Sequence, residues 1–295
     1  MLTVLITGSS TGIGRRTAET LAAARHTVYA TMRDPAGRDA DAVSELEALA
    51  RSRNWQLRVV ELDVTSQESA DAAVRQVIEE TDGLDVVLHN AGHLSIGYVE
   101  AFTEDDVSHL LDVNAVGAHR VNRAALPHMR ARRSGTLLYV GSTIQVTTPP
   151  FLGPYVASKA AFDALAVVTS YEVSQFGIET SIVMPGAITQ GTNHFPGASR
   201  AGDEQVAAQY AELDPLVERT HDAHEQLFAP GTTADPQSVA DEIERILALP
   251  VGRKPFRSVV DAAQAGVDHV MAFSDLTREV FVRRLGFAET LEVKR

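Results

Sequence analysis

The chain has 295 residues, 44% of them apolar and 22% charged, which suits one large α/β domain or two small ones with a sizeable core. Its formal net charge of -13 argues against a partner whose phosphates must be neutralised, so no nucleic acid is expected. The absence of cysteine excludes disulfides, thiol nucleophiles and zinc ribbons.

The N-terminal stretch MLTVLITGSS shows no basic leader. Its apolar run of about six residues is far short of the ~20 that span a bilayer, so a soluble, cytoplasmic protein with no membrane partner is expected. In chain order, strands are predicted at 2–7 (LTVLIT), 27–32 (TVYATM), 57–62 (LRVVEL), 85–90 (DVVLHN), 136–141 (TLLYVG) and 179–184 (ETSIVM). These runs are continuously apolar rather than alternating, as strands covered on both faces are. Between them, amphipathic patterns predict helices over about 13–25, 41–52, 66–81, 104–131 and 155–176. Strand–helix alternation implies a parallel sheet with helices on both faces. No linker divides the chain, so residues 1–295 read as one domain.

After Met184 the regularity ends. The stretch PGAITQGTNHFPGASRAGDEQ is a long loop, and the region at about 187–230 is expected to act as a lid over a site. Helices are expected at about 203–228 and 236–248, then a seventh strand at 256–260 (FRSVV) and a helical extension over about 261–295.

Two stretches carry chemistry. In VLITGSSTGIGRRTAETLA, Gly8, Gly12 and Gly14 fall in the turn between the first strand and the first helix. Glycines let a backbone approach a ligand closely, and a helix N-terminus offers free N–H groups to an anion. A glycine turn directly after the first strand of such a sheet predicts a dinucleotide site. In GPYVASKAAFDAL, Tyr155 and Lys159 lie one helical turn apart, thirteen residues after Ser142 at the end of a strand. Only three of the 26 Lys and Arg residues are lysine: Lys159, Lys254 and Lys294. A mid-chain lysine where arginine is the habitual cation suggests a task for a compact charge. A nearby ammonium favours tyrosinate and so tunes a phenol toward acid–base work at neutral pH.

These motifs resemble those of the short-chain dehydrogenase/reductase family. TGSSTGIG is followed in the family's order by LDV at 62–64, NAG at 90–92, Asn114, Ser142, YVASK at 155–159 and PG at 185–186. The resemblance covers about residues 2–190. VYATMRD and the extended C-terminus look most like the hydroxysteroid-dehydrogenase-like branch. It implies a Rossmann-type doubly wound parallel sheet of about seven strands and hydride transfer between a nicotinamide and a carbonyl or alcohol carbon. By resemblance, Tyr155 is the acid/base, Lys159 lowers its pKa and holds the nicotinamide ribose, Ser142 bonds the substrate oxygen, and Asn114 distorts its helix to complete a proton relay.

The same resemblance assigns the dinucleotide to Gly8, Ser9, Thr11, Gly12, Ile13 and Gly14, with Asp63 and Val64 at the adenine. Asn90, Ala91 and Gly92 pass near the ribose, although Asn90 is either structural or ligand-binding. Pro185, Gly186, Ile188 and Thr189 stand by the carboxamide. The family's threonine would align near Gln190, with threonines here at 189 and 192, so the side chain that anchors the amide is open.

The end of the second strand carries Met32 and Arg33 where an acidic residue would select NAD(H). NADP(H) is therefore expected, NAD(H) being the alternative if Arg33 pairs with Asp34 or Asp34 turns inward. The substrate is expected to be a small carbonyl or alcohol held by His93, Leu94, Ile144, Gln145, Phe151, Ala187, His194 and Phe195. An NAD(H)-linked alcohol dehydrogenase and a noncatalytic dinucleotide sensor are the competing functions. A homodimer or homotetramer is expected through the helices at 104–131 and 155–176, which carry Val116, Val121, Ala161, Phe162, Leu165 and Val168. HDAH (221–224) spaces two histidines three apart, but without an acidic partner motif it reads as a helix surface, and no metal is expected.

Overall fold

All seven predicted apolar runs enter one sheet. The computed structural model describes residues 1–294 except Asp82, Pro230 and Thr233. The strands are β1 (Thr3–Ile6), β2 (Thr27–Met32), β3 (Leu57–Glu61), β4 (Val86–His89), β5 (Ser95–Ile96), β6 (Gly135–Val140), β7 (Ile178–Pro185), β8 (Ser199–Arg200) and β9 (Arg257–Val260). Seven form a parallel sheet in the order β3-β2-β1-β4-β6-β7-β9, and β5 pairs with β8 apart from it. The order runs outward in both directions from the β1/β4 pair. Loops after neighbouring strands there diverge to opposite faces and leave a crevice at the carboxyl ends.

The helices are α1 (Gly12–Ala23), α2 (Ala40–Arg53), α3 (Gln67–Thr81), α4 (Glu104–Leu111), α5 (Gly117–Arg132), α6 (Ile144–Thr147), α7 (Gly153–Ser174), α8 (Glu204–Ala208), α9 (Asp214–Glu218), α10 (Thr220–Glu225), α11 (Pro236–Leu247) and α12 (Val267–Arg284). Apolar side chains of α1, α2 and α11 cover one face of the sheet, and those of α3, α5, α7 and α12 cover the other. This is why the strands read as unbroken apolar runs. A smaller cluster of Leu94, Ile96, Leu110, Leu152 and Tyr155 lies over the carboxyl ends, with Phe195 and Val217 packed against it. Among the described residues no helix is long and apolar enough to cross a membrane.

Two predicted helices differ in the structure. The 104–131 helix is interrupted by a π-turn at Asp112–Val116, between α4 and α5. Here Gly117 comes so close to Val64 that a Cβ would lie 2.9 Å from its Cβ. The 203–228 helix is instead a chain of short pieces, α8 to α10 with a 3-10 turn at Ala211–Leu213. Pro215 has no N–H to bond back to the preceding turn, so it stands in the first turn of α9 and the pattern breaks before it. Of the residues expected at an oligomer face, Val121 and Phe162 pack into the core, whereas Val116, Leu165 and Val168 are exposed.

Candidate active site

Building the site begins at the glycine turn. Gly8 and Gly12 adopt φ of 71° and 58°, left-handed values that favour glycine. A Cβ on Gly8 would stand 2.9 Å from the Ala91 Cα, and one on Gly14 would stand 2.1 Å from the Gly8 carbonyl oxygen. Gly14 therefore closes α1 onto the turn rather than lining the cleft. Asn90 fastens the arrangement: its Nδ2 donates to the carbonyls of Thr7 (3.0 Å) and Gly8 (2.7 Å). Thr11 is the extended N-cap of α1 and makes no side-chain capping bond, so the first-turn N–H groups have no partner from it.

The turn forms one end of a cleft of about 1120 Å³. Of the residues expected at a dinucleotide, Thr11, Gly12, Ile13, Arg33, Asp63, Val64, Ala91 and Gly92 line it. Ser9 does not: it is fully buried and its hydroxyl donates to the Ile6 carbonyl, while Ser10 takes the place on the wall. Asp34 is engaged by the backbone N–H groups of Gly37 (3.0 Å) and Arg38 (2.9 Å). The Arg33 side chain has no ion pair among the described residues, and Arg38 joins it on the wall. Asp39 also lines the cleft but accepts from the Asp34 N–H and pairs with Arg38 at 3.6 Å.

At the other end, Pro154 at the start of α7 places Tyr155 in the first turn and Lys159 one turn on. Both are buried. Ser142 lies in the turn after β6, held by Gly141 N–H to Val183 O (2.7 Å) and Thr143 N–H to Pro185 O (2.9 Å). The three side chains thus meet from two elements, and all line the cleft. The Lys159 ammonium donates to the Val140 carbonyl at 3.2 Å. Burial lowers its pKa to about 8. Burial also raises the Tyr155 phenol above the usual range, against the opposing hydrogen bond with Ser142. Burial, opposed by the Ser142 bond, sets the direction for Tyr155 in the protein itself, not the expected depression by Lys159.

Asn114 does not face the cleft. From the π-turn it accepts from the His93 N–H (2.9 Å) and donates to the His93 carbonyl (3.0 Å) and Ser158 Oγ (2.9 Å). Its Oδ1 would stand 3.0 Å from a Cβ on Gly92, and Lys159 Nζ 3.9 Å from the same point. It ties the helix break to the strand end beside the lysine.

Among the expected substrate-wall residues, His93, Leu94, Ile144, Ala187, His194 and Phe195 line the cleft. Gln145 and Phe151 do not: the first buries its Oε1 without a partner, and the second packs with the small cluster under φ of 65°. Near the carboxamide position, Pro185, Gly186 and Ile188 line the cleft, but Thr189 does not, and its Oγ1 is buried without a partner. Thr192 faces in instead, 2.8 Å from where a Gly12 Cβ would be.

What sequence reasoning missed is what the histidines touch, and that His109 and His224 join His93 and His194 at the cleft. His194 Nε2 lies 3.2 Å from the Tyr155 hydroxyl. His93 stacks obliquely on His109, their ring centres 5.6 Å apart. The HDAH histidines are not a plain helix surface: His221 and His224 both pack on Phe195, and His224 lines the cleft. His221, Asp222 and Glu225 place ligand-type atoms within 4.8 Å of one another, but this acidic cluster is exposed.

Burial holds His194 at a pKa of about 4, with Lys159 and His93 adding to the effect, and burial likewise lowers His89 to about 4 against its bond to Asn122. The unfolded chain protonates each near the ordinary histidine value of about 6.5. As pH falls through that window the unfolded state takes up protons the folded state refuses, so stability is lost. Each group should cost about 2 kcal/mol by pH 5. Urea midpoints at pH 7 and 5 check this: His194→Gln should shrink the difference, and an unchanged difference would refute it.

The chain matches the family described as short chain dehydrogenase over residues 2–200. It is 34% identical to a 3-ketodihydrosphingosine reductase of Bacteroides thetaiotaomicron, over 64% of this chain and 64% of that protein. It is 32% identical to the estradiol 17-beta-dehydrogenase 1 of Rattus norvegicus, over 92% of this chain and 82% of that one. The chain thus spans less than two thirds of the length of the reductase. A solved short-chain dehydrogenase from Streptomyces avermitilis superposes with a TM-score of 0.74 at 26% identity, covering 97% of each chain. A sheet with its crevice at the β1/β4 switch, a glycine cradle at one end and Ser142, Tyr155 and Lys159 at the other agree with these matches, and the chain belongs to the short-chain dehydrogenase family.

Proposed function

We propose that the protein is an NADP(H)-dependent oxidoreductase that moves hydride between nicotinamide and a carbonyl or secondary alcohol of a mainly apolar small molecule. The observation that carries this reading is one continuous cleft with the glycine cradle and Arg33 at one end and Ser142, Tyr155 and Lys159 at the other. The cradle fits a dinucleotide, because Gly8 and Gly12 line the cleft beside the N-terminus of α1, whose first-turn N–H groups receive no side-chain cap from Thr11. The Gly8–Gly14 turn would hold the pyrophosphate, Asp63 and Val64 the adenine, Lys159 the ribose, and Pro185 to Ile188 the carboxamide.

A nicotinamide bound there supplies or accepts the hydride. Tyr155 gives or takes the proton at the substrate oxygen, and Ser142 hydrogen-bonds that oxygen. Lys159 favours the tyrosinate form, and Asn114 holds the backbone of His93 next to it, on the route by which a proton reaches solvent. Leu94, Ile144, Leu152, Phe195 and Leu227 make the substrate end chiefly apolar. Phe195 and Val217 of the 187–230 region already pack over Tyr155's cluster, which supports a lid. Exposed Val116 at the entry to α5, with Leu165 and Val168 on α7, supports a homodimer or homotetramer through these helices. The acidic, cysteine-free composition fits the cytoplasm.

For the cofactor, Arg33 and Arg38 can grip a 2′-phosphate with charge-assisted bonds. The NAD(H) alternative rests on Asp39, a carboxylate on the same wall, but that group is already tied to the Asp34 N–H and Arg38. Titration with both reduced cofactors tests the assignment. Arg33→Ala should weaken NADPH by about 1.5–3 kcal/mol, the span for a bond to a charged group, and hardly touch NADH. NADH binding as tightly as NADPH to the unaltered protein would sink it. A screen of carbonyls and alcohols, read at the nicotinamide absorbance, then tests the substrate class.

A further inference from the structure

Among the described residues, Lys159 is a buried cation with which no carboxylate pairs. Asp163, one turn further along α7, is taken by Arg257. Two other contacts face the ammonium. The Val140 carbonyl accepts one N–H at 3.2 Å, and Nζ lies over the Phe162 ring, 5.2 Å from its centre. Phe162 stands three residues after Lys159, on the same side of the helix. The titratable groups nearest the lysine bring it no negative charge at pH 7. Burial raises Tyr155, one turn before it on α7, and lowers both His194 and His93, so all three are neutral there.

The ring is fixed from behind. Tyr139 on β6 meets it at 73°, their centres 5.4 Å apart, and Tyr139 in turn stacks on His89 of β4 at 4.6 Å. Asn122 of α5 closes the set: its Nδ2 donates to the Tyr139 hydroxyl and its Oδ1 accepts from His89 Nε2, both at 2.8 Å. All four side chains are buried. Because Nδ2 is spent on the tyrosine, the amide oxygen faces the histidine, and His89 carries its proton on Nε2. Taking an ammonium out of water is costly unless something replaces its hydration. An aromatic face offers negative potential to a cation within about 6 Å, and the attraction is larger where the pair is dry. We propose that Phe162 is a positioning residue: its ring face seats the Lys159 ammonium against the Val140 carbonyl and supplies the negative potential that no carboxylate provides. A carboxylate would hold N–H groups of the lysine in an ion pair, whereas a ring face accepts none in line and leaves those at the cleft for a ligand. The consequence for turnover rests on the role proposed for Lys159 above.

The scarcity of lysine makes the test direct. Isotope-labelled lysine gives the full chain three side-chain NMR signals, and that of Lys159 is the one absent from Lys159→Arg. Burial lowers the Lys159 pKa to about 8, so its titration is within reach. The ring favours the protonated amine, so weakening it should move the midpoint down. Phe162→Leu should lower the midpoint by about 0.4–1.5 pH units, the span of a cation–π contact. Singly, doubly and triply fluorinated phenylalanine at position 162 keep the shape of the ring while weakening its face. Along that series the midpoint should fall step by step toward the leucine value. A flat fluorine series overturns the proposal whatever leucine does, because it leaves Phe162 as packing alone; if leucine unfolds the core, the series still decides. The midpoint needs neither dinucleotide nor turnover, so its failure leaves the proposed reaction standing. A midpoint that moves while the pH dependence of turnover stays fixed does the reverse: the ring contact stands, and the charge of Lys159 leaves the reaction.

Discussion

Tyr155→Phe is expected to fold, to bind the dinucleotide as before, and to lose turnover by a factor of about 10² or more, the range for removing a general acid. The ring is buried among Leu94, Leu110 and Leu152, and phenylalanine keeps those contacts. What leaves is the hydroxyl, with its bonds to Ser142 and to His194 Nε2 at 3.2 Å. Binding by cofactor fluorescence and single-turnover absorbance separate the two effects; a variant that still turns over at a tenth of the normal rate would remove Tyr155 from the chemistry. Lys159→Arg is the companion. Its ammonium is a compact donor to the Val140 carbonyl, and a planar guanidinium cannot occupy the same place. Near-normal activity in Lys159→Arg would show that charge alone suffices.

The largest loss of stability is expected from Lys254→Met. Lys254 Nζ meets Glu179 Oε2 at 2.5 Å, and each side chain is only 6% exposed. The other Glu179 oxygen accepts from the Gly252 N–H. Together they tie β7 to the turn that leads into β9, the last strand of the sheet. Removing the cation leaves a buried carboxylate with one backbone donor, a loss of about 3–5 kcal/mol for breaking a buried pair. The pair itself adds less, because taking both charges out of water is costly. Glu179→Gln with Lys254→Met should therefore recover much of the loss. Urea unfolding of the single and double variants measures this, and a double variant no more stable than Lys254→Met alone would contradict it.

The strands, the glycine turn and the Tyr155–Lys159 pair were legible in the sequence because each obeys a local constraint. A strand covered on both faces must be apolar throughout. A backbone packed against Ala91 needs glycine at position 8, and one helical turn sets the tyrosine and lysine on one face. The answer to the scarce lysines was partly visible too: Lys159 is buried in the site, but Lys254 needed the β7–β9 pairing to show its partner. The tertiary structure alone decided which side of each turn meets the cleft. Ser9 and Ser10 are neighbours of the same type, yet the Ile6 carbonyl claims one and leaves the other on the wall. Thr189 and Thr192 divide in the same way. His194 on Tyr155, His109 on His93, His224 on Phe195 and Arg38 beside Arg33 join residues from separate segments with no shared period. No spacing announces such contacts, because long-range packing sets them, whereas spacing records only what one helix or strand does by itself.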